Sequence, residues 1–350
     1  MLDETLRENA ARMRMLLYGQ LVSKTLCTAV RLGVPEALAG DRRTAGELAA
    51  ELAAHPQALR RLLRALVPFD VFTEDSDGTF GLTPLGRTLL AGTPGTARPT
   101  ALLLAGEVGR TWSGLEDTLR TGRSAFRRLH GTDLFDYLEQ QPERREVFDT
   151  SQEAGLRMEL DEIFQSITFH GYPRIVDVGG GNGHLMCELL HRTPGSTGVV
   201  LDLHGTVPLA EKRIIEEGLT DRCTAVAGDF FTRVTPGADL YILSHVLHDW
   251  GDEQAVAILR TCATALPEHG RVMVIDLVTD ASRPPGDPRG PHRLPALMDL
   301  YMLSLFGAAG GQERTGAEFA ALLGRAGLEP EETTVLPSGM AVITARKSTR

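Results

Sequence analysis

Cysteine is sparse. Four are present, Cys27, Cys187, Cys223 and Cys262, with no CxxC pair, so neither the spacing of a structural zinc site nor the pattern of a disulfide scaffold is available. Lysine is scarcer still, at positions 24, 212 and 347 only; the basic residues are nearly all arginine, a bias to which no chemistry attaches. No uninterrupted apolar stretch reaches the roughly 18 to 20 residues of a membrane-spanning helix. A basic surplus is also lacking. The 46 acidic and 36 basic side chains leave a formal charge of −10, which opposes binding to a phosphate backbone. The stretch from Met1 to Arg14 has no basic-then-apolar order of a signal peptide. Nucleic acid and membrane are therefore not expected as partners, and a cytoplasmic protein is.

What is present suits a globular chain. At 350 residues with 42% apolar and 23% charged side chains, it exceeds what one core usually organises, and two domains are expected. Residues 1–96 read as a winged-helix domain. Leu6 to Leu66 is dense in Ala, Leu and Arg at helical spacing, Thr44 and Glu47 form a capping box, and residues 71–83 read as two short strands around an AspGly turn. Pairing of subunits fits this domain better than DNA binding, because the arginines of the recognition-helix candidate, His55 to Val67, are not backed by a chain-wide basic surplus. A helical connector follows over 97–167, with Trp112, Phe126, Phe135, Tyr137 and Phe148 as core or substrate-lining aromatics.

From residue 168 to 350 apolar runs alternate with helical segments, the pattern of a parallel sheet covered on both faces. The runs are 174–178, 198–203, 223–227, 239–244 and 271–278, and a hairpin over 333–345 adds an antiparallel pair. The Pro-rich patch Asp280 to Pro291 reads as a surface loop. The expected fold is α/β, a Rossmann-like seven-stranded sheet behind an α-helical winged-helix domain.

The strongest local signal is Asp177-Val178-Gly179-Gly180-Gly181-Asn182-Gly183, a strand emptying into a glycine turn before a helix. A ligand must approach Asp177, Gly179 and Gly181 closely. The third small residue of a dinucleotide fingerprint is missing, since His184 stands there, so NAD and FAD are disfavoured. No GlyLysSer/Thr follows either, and Asp177 would repel a pyrophosphate. Asp202, at the end of the second strand, can take both hydroxyls of a ribose. Asp229 and Phe230, after the third strand, can accept from an adenine amine and cover its face. Adenosine without phosphate points to S-adenosylmethionine. Strand four runs into Ser244-His245-Val246-Leu247-His248-Asp249-Trp250, at the sheet edge where ligands of open α/β folds bind. His245, where the backbone leaves the strand, suits a structural or cofactor-proximal place; His248 can project towards a second ligand. Asp249 and Asp299 read as solvated or helix-capping acids.

The ordered set ValAspValGlyGlyGly, GlyAspPhePhe, HisAspTrp and GlyGlyGlnGluArgThr resembles the S-adenosylmethionine-dependent O-methyltransferases of the plant small-molecule type, more narrowly their bacterial relatives that decorate polyketides and other aromatic natural products. The resemblance covers nearly the whole chain. It implies a class I methyltransferase sheet, an interlocked homodimer built by the winged-helix domain, and transfer of methyl to a hydroxyl, with phenolic acceptors expected. It places the general base on His248 and its partner acids on Asp276 and Glu313, neither a metal ligand. Cofactor positions fall on Gly179, Asp202, Asp229, Phe230 and Ser244, and the acceptor pocket draws on Met298 and Met302, with Trp112 as a further lining candidate. Two rival readings stay open: an enzyme that holds the cofactor yet performs hydroxylation, decarboxylation or pericyclic chemistry, and a winged-helix regulator. The full set of His248, Asp276 and Glu313 speaks against both.

Overall fold

The computed structural model describes residues 4–280 and 293–348; from Ala281 onward the Pro-rich patch lies outside the described residues. Two compact units are formed, Met1–Arg110 with Glu146–Ala154, and Thr111–Arg145 with Gly155–Arg350. The segment 97–167 is thus divided between them.

In the first unit the helices Glu4–Arg31, Val34–Ala37, Ala45–Glu51 and Pro56–Leu66 precede the wing. Three strands, β1 (Arg43–Thr44), β2 (Phe72–Glu74) and β3 (Thr79–Leu82), are ordered β1-β3-β2. The capping box is present: Thr44 Oγ accepts from the Glu47 N–H, and the Glu47 carboxylate accepts from the Thr44 N–H at 2.7 Å. Strand β1 carries no signal in the sequence, because two residues are too few to show a period. Arg60 and Arg64, on the recognition-helix candidate, both pair with Glu74 of the wing, Arg64 at 2.7 Å. Leu48, Leu63, Leu66, Phe72 and Phe80 fill the core.

The second unit carries β4 (Arg174–Val178), β5 (Thr197–Asp202), β6 (Cys223–Ala227), β7 (Leu240–Ser244), β8 (Arg271–Leu277), β9 (Leu328–Val335) and β10 (Met340–Lys347). They make the expected seven-stranded Rossmann-like sheet, in the order β6-β5-β4-β7-β8-β10-β9. Pairing is parallel up to β8, and β10 runs antiparallel to both its neighbours. Alternate residues face opposite layers. Val176, Tyr241, Leu243, Val272 and Val274 pack with the helices Asp252–Ala265 and Gly316–Arg325. Ile175, Val200, Ile242, Met273 and Ile275 pack with the helices His184–Arg192 and Val207–Glu216.

The final hairpin starts at Leu328, earlier than residue 333. Its first strand holds Pro330 and three glutamates, a composition that hides a strand; β9 is the sheet's outer edge, and Pro330 sits where the register against β10 shifts between Thr344 and Ala345. A proline without an N–H and a row of charges are tolerated there because no further strand must be paired. Strand order reverses at β4, so the loops after β4, β5, β6, β7 and β8 gather at one carboxyl edge, the crevice where open α/β sheets take ligands. Among the described residues no helix is long and apolar enough to cross a membrane.

Candidate functional site

The glycine turn is shaped by left-handed backbone. Gly179 has φ +76° and Gly181 φ +56°, a region costly for residues with a Cβ. At Gly179 a Cβ would also lie 2.8 Å from Val246 and 3.6 Å from the Phe230 ring. Asp202 closes the turn from β5: Oδ2 accepts from the Gly181 N–H at 2.8 Å and Oδ1 from the Leu203 N–H at 2.7 Å. Each carboxylate oxygen keeps a second lone pair for a hydroxyl donor. Arg145 Nη2 lies 3.8 Å from Asp202 Oδ1. Asp229 Oδ1 accepts from the Phe231 N–H at 2.9 Å, and the Phe230 and Phe231 rings meet Trp250 edge to face. Ser244 Oγ is buried with no hydrogen-bond partner. Asp177 is 1% exposed beneath the turn and its Oδ2 is likewise unpartnered. The half-buried glycine backbone, the spare capacity of Asp202 and these unpartnered polar atoms fit a nucleoside with a polar tail and no phosphate.

Burial, and then the charge of Asp202, push the Asp177 carboxyl up to about 7. Because this folded value exceeds that of the unfolded chain, the favourable contribution is complete below about pH 4 and is lost as pH rises through 7. Holding Asp177 ionised at pH 8 then costs about 4 kcal/mol. In the ligand-free protein, Asp177→Asn is expected to gain thermal stability over the wild type progressively from pH 5 to pH 8. Calorimetric midpoints that keep a constant separation across that range would contradict this.

The second half of the site centres on His248, 3% exposed in the one-turn helix Leu247–Asp249. Its Nδ1 lies 2.9 Å from Asp276 Oδ1 on β8 and 3.4 Å from Glu313 Oε1. Both are ion-pair contacts rather than well-aligned hydrogen bonds. Nε2 has no hydrogen-bond partner; Asp249 Oδ1 is 3.6 Å away. The three residues expected to act together are therefore together, brought from a turn, a strand and a loop.

The GlyGlyGlnGluArgThr segment achieves this by backbone approach. At Gly311 a Cβ would lie 2.5 Å from the His248 carbonyl oxygen and 2.7 Å from the Phe306 ring, and the Gln312 N–H donates to that carbonyl at 2.8 Å. Arg314, 1% exposed, donates to the Leu247 and Trp250 carbonyls at 2.8 and 2.7 Å and to Asp252 at 2.9 Å. This arginine bolts the loop to the HisAspTrp turn. Asp299 accepts from the Glu313 N–H at 3.1 Å, so it holds the loop from a helix rather than lying solvated or at a cap.

Burial opposes a charge on His248, but Asp276, Glu313 and Asp249 outweigh it and hold the imidazole well above its ordinary 6.5. Burial works against Asp276 too, yet the neighbouring His248 keeps its carboxyl below the usual range. Burial raises Asp249 to about 7 despite His248. Asp249 is thus an electrostatic neighbour of the base, a place its sequence position did not reveal.

Trp112 lies partly buried in the short helix Thr111–Gly114, which packs on the helix Leu294–Phe306 through Thr111 Oγ1 and Ser304 Oγ at 2.8 Å. The latter helix also packs against the His248 turn. Met302 is buried and Met298 partly buried against the sheet. Phe135 stacks between Trp250 and Phe306, with ring centroids 6.1 and 5.9 Å apart. The sequence marks it only as one of several aromatics of the connector. His245 leaves β7 and meets Glu159 at 2.8 Å; Glu159, on the helix Pro142–Ser166, carried no sequence signal.

Two family models match, the O-methyltransferase dimerisation domain over residues 15–92 and the O-methyltransferase domain over residues 112–329. The O-methyltransferase SfmM3 from Streptomyces lavendulae is 46% identical over 333 residues, 95% of this chain and 99% of that protein. Among solved structures, the mitomycin 7-O-methyltransferase MmcR superposes with a TM-score of 0.87 at 35% identity, covering 98% of this chain and 100% of the other. An O-methyltransferase from neocarzinostatin biosynthesis, in complex with S-adenosylmethionine and 2-hydroxy-5-methyl naphthoic acid, gives 0.80 at 34% identity over 93% and 96% of the two chains. Matched by both models and by a relative 46% identical over 95% of its length, the chain belongs to the S-adenosylmethionine-dependent O-methyltransferase family.

Proposed function

We propose that the protein moves the methyl group of S-adenosylmethionine to a phenolic hydroxyl of a hydrophobic aromatic secondary metabolite, with His248 as general base. The observation that carries this is the buried Nε2 of His248, unpartnered while Nδ1 faces two carboxylates. Bound S-adenosylmethionine supplies a methyl group already activated by a sulfonium leaving group. Gly179, Gly181, Asp202, Asp229, Phe230 and Ser244, with Asp177 beneath them, hold the nucleoside and its tail. A phenol of pKa about 10 is mostly protonated at neutral pH, so its proton must be taken as the oxygen attacks. His248 Nε2 accepts it, and Asp276 and Glu313 at Nδ1 fix the tautomer and favour the imidazolium that forms, the logic of a triad acid. Trp112, Met298 and Met302 line the acceptor side, where thioether and aromatic surfaces suit a broad planar ring. Relatives named as a mitomycin-biosynthesis 6-O-methyltransferase and a 2,7-dihydroxy-5-methyl-1-naphthoate 7-O-methyltransferase support the aromatic class. Mass spectrometry after incubation with labelled methyl donor and a panel of phenols should find a single added methyl on oxygen. Cofactor turnover with no methylated product would instead favour the non-methylating chemistries.

Residues 1–96 are proposed to pair two copies of the chain. Leu6, Met13, Met15, Leu16, Leu17, Tyr18 and Leu21 stand exposed on the first helix, more contiguous apolar surface than a soluble monomer usually leaves uncovered. Light scattering should report a dimer for the full chain and aggregation after deletion of residues 1–96. A monodisperse monomer in either case would defeat the assignment.

A further inference from the structure

Beside the base stands a second acid–imidazole pair to which the mechanism above gives no task. His245 holds φ +54°, a left-handed conformation uncommon for residues other than glycine, and its N–H is tied to the Ile275 carbonyl of β8 at 2.9 Å. Fixed in this way, its ring centroid lies 5.6 Å from that of His248, and its Nε2 lies 2.8 Å from Glu159 Oε2 on the helix Pro142–Ser166. A ring nitrogen each of His245 and His248 and a carboxylate oxygen of Asp276 fall within 4.8 Å of one another. The charged groups around this point are therefore Glu159 from the helix, Asp276 from β8, His248 and Asp249 from the turn, and Glu313 beyond His248. Three of the acids, Asp276, Glu313 and Asp249, favour a proton on His248; His245 is the imidazole placed beside it.

We propose that Glu159 and His245 are positioning residues that tune the base: Glu159 keeps His245 positively charged, and that charge weakens the hold of His248 on the proton it must lose before it can act. The inference rests on His248 being the base. Burial opposes a charge on His245, and so does His248, but Glu159 together with Asp276 outweighs them and holds the ring above the ordinary imidazole value. At the 5.6 Å separation of the rings and an effective dielectric constant near 20, removing the His245 charge is expected to raise the acid limb of His248 by about 2 pH units.

The test is kcat/KM for a phenolic acceptor against pH, at saturating S-adenosylmethionine, in the wild type, Glu159→Gln, His245→Asn and His248→Ala. The acid limb should move to higher pH in the first two variants and vanish in the third. A limb that keeps its wild-type position in Glu159→Gln, even with lower activity at every pH, reduces the pair to a structural role and overturns the proposal. An acid limb that persists in His248→Ala overturns the assignment of the base instead, so the two failures are distinguishable. Histidine side-chain NMR of the unmodified protein provides a readout that no folding defect can obscure. His245 should be doubly protonated at pH 7, and a neutral ring there refutes the proposal.

Discussion

Replacing His248 with alanine is expected to lower methyl transfer by about 10² to 10⁴, the usual worth of a positioned base, while the affinity for S-adenosylmethionine stays within about threefold. The imidazole faces two carboxylates, and in the proposed mechanism it serves the acceptor, not the cofactor. The wild-type rate should fall on the acid side through a limb lying above 6.5, because Asp276 and Glu313 hold the proton on His248; that limb should be absent from the variant. The substitution also strands Asp276 and Glu313 as buried, uncompensated acids, so a loss of stability accompanies it. Its sign with pH follows from the two partners. The raised histidine contributes stability fully below about 6.5 and loses it as pH rises through its folded value. The depressed Asp276 contributes above about 3.8 and loses its share as pH falls through its folded value. The deficit of the variant should therefore be widest between about pH 4 and 6.5. His248→Gln, which retains a polar group of similar reach, separates stability from catalysis. Near-normal turnover in either variant would mean that proximity alone carries the reaction.

Asp202→Ala should weaken S-adenosylmethionine and S-adenosylhomocysteine alike by about 10- to 150-fold, the equivalent of roughly 1.5 to 3 kcal/mol for two charge-assisted hydrogen bonds. Part of that loss is indirect. Asp202 also receives the Gly181 N–H at 2.8 Å, so the glycine turn itself loses an anchor when the carboxylate goes. Asp202→Asn keeps one carbonyl oxygen for Gly181 or for a hydroxyl and should fall between alanine and wild type. Titration calorimetry decides the matter, and unchanged affinity in Asp202→Ala would remove this residue from the cofactor site.

Much of this site is legible in the chain because its chemistry is tied to strand ends. Parallel strands buried on both faces must be nearly all apolar, so 174–178 stands out with the bounds that β4 has. A glycine turn after such a strand has few alternatives. Charged edge strands carry no such signal, which is why β9 is visible only from residue 333. Glu159 is hidden for a different reason: it is one acid among many on a helix of 25 residues, and only the chain's path over the sheet sets it against His245. Asp299 and Arg314 likewise read as ordinary charges until the loop they hold is seen.

By itself the sequence determined the order of the elements, the residue types that face the ligands and the family. Those depend on periodicity, glycine and the identity of side chains, all local properties. The tertiary structure alone decided which charges meet. His248, Asp276 and Glu313 come from three separate segments, and the Coulomb terms that raise the base and depress Asp276 vary inversely with distance and with the dielectric around them. Neither quantity exists until β7, β8 and the Gly311 loop are packed together and water is excluded.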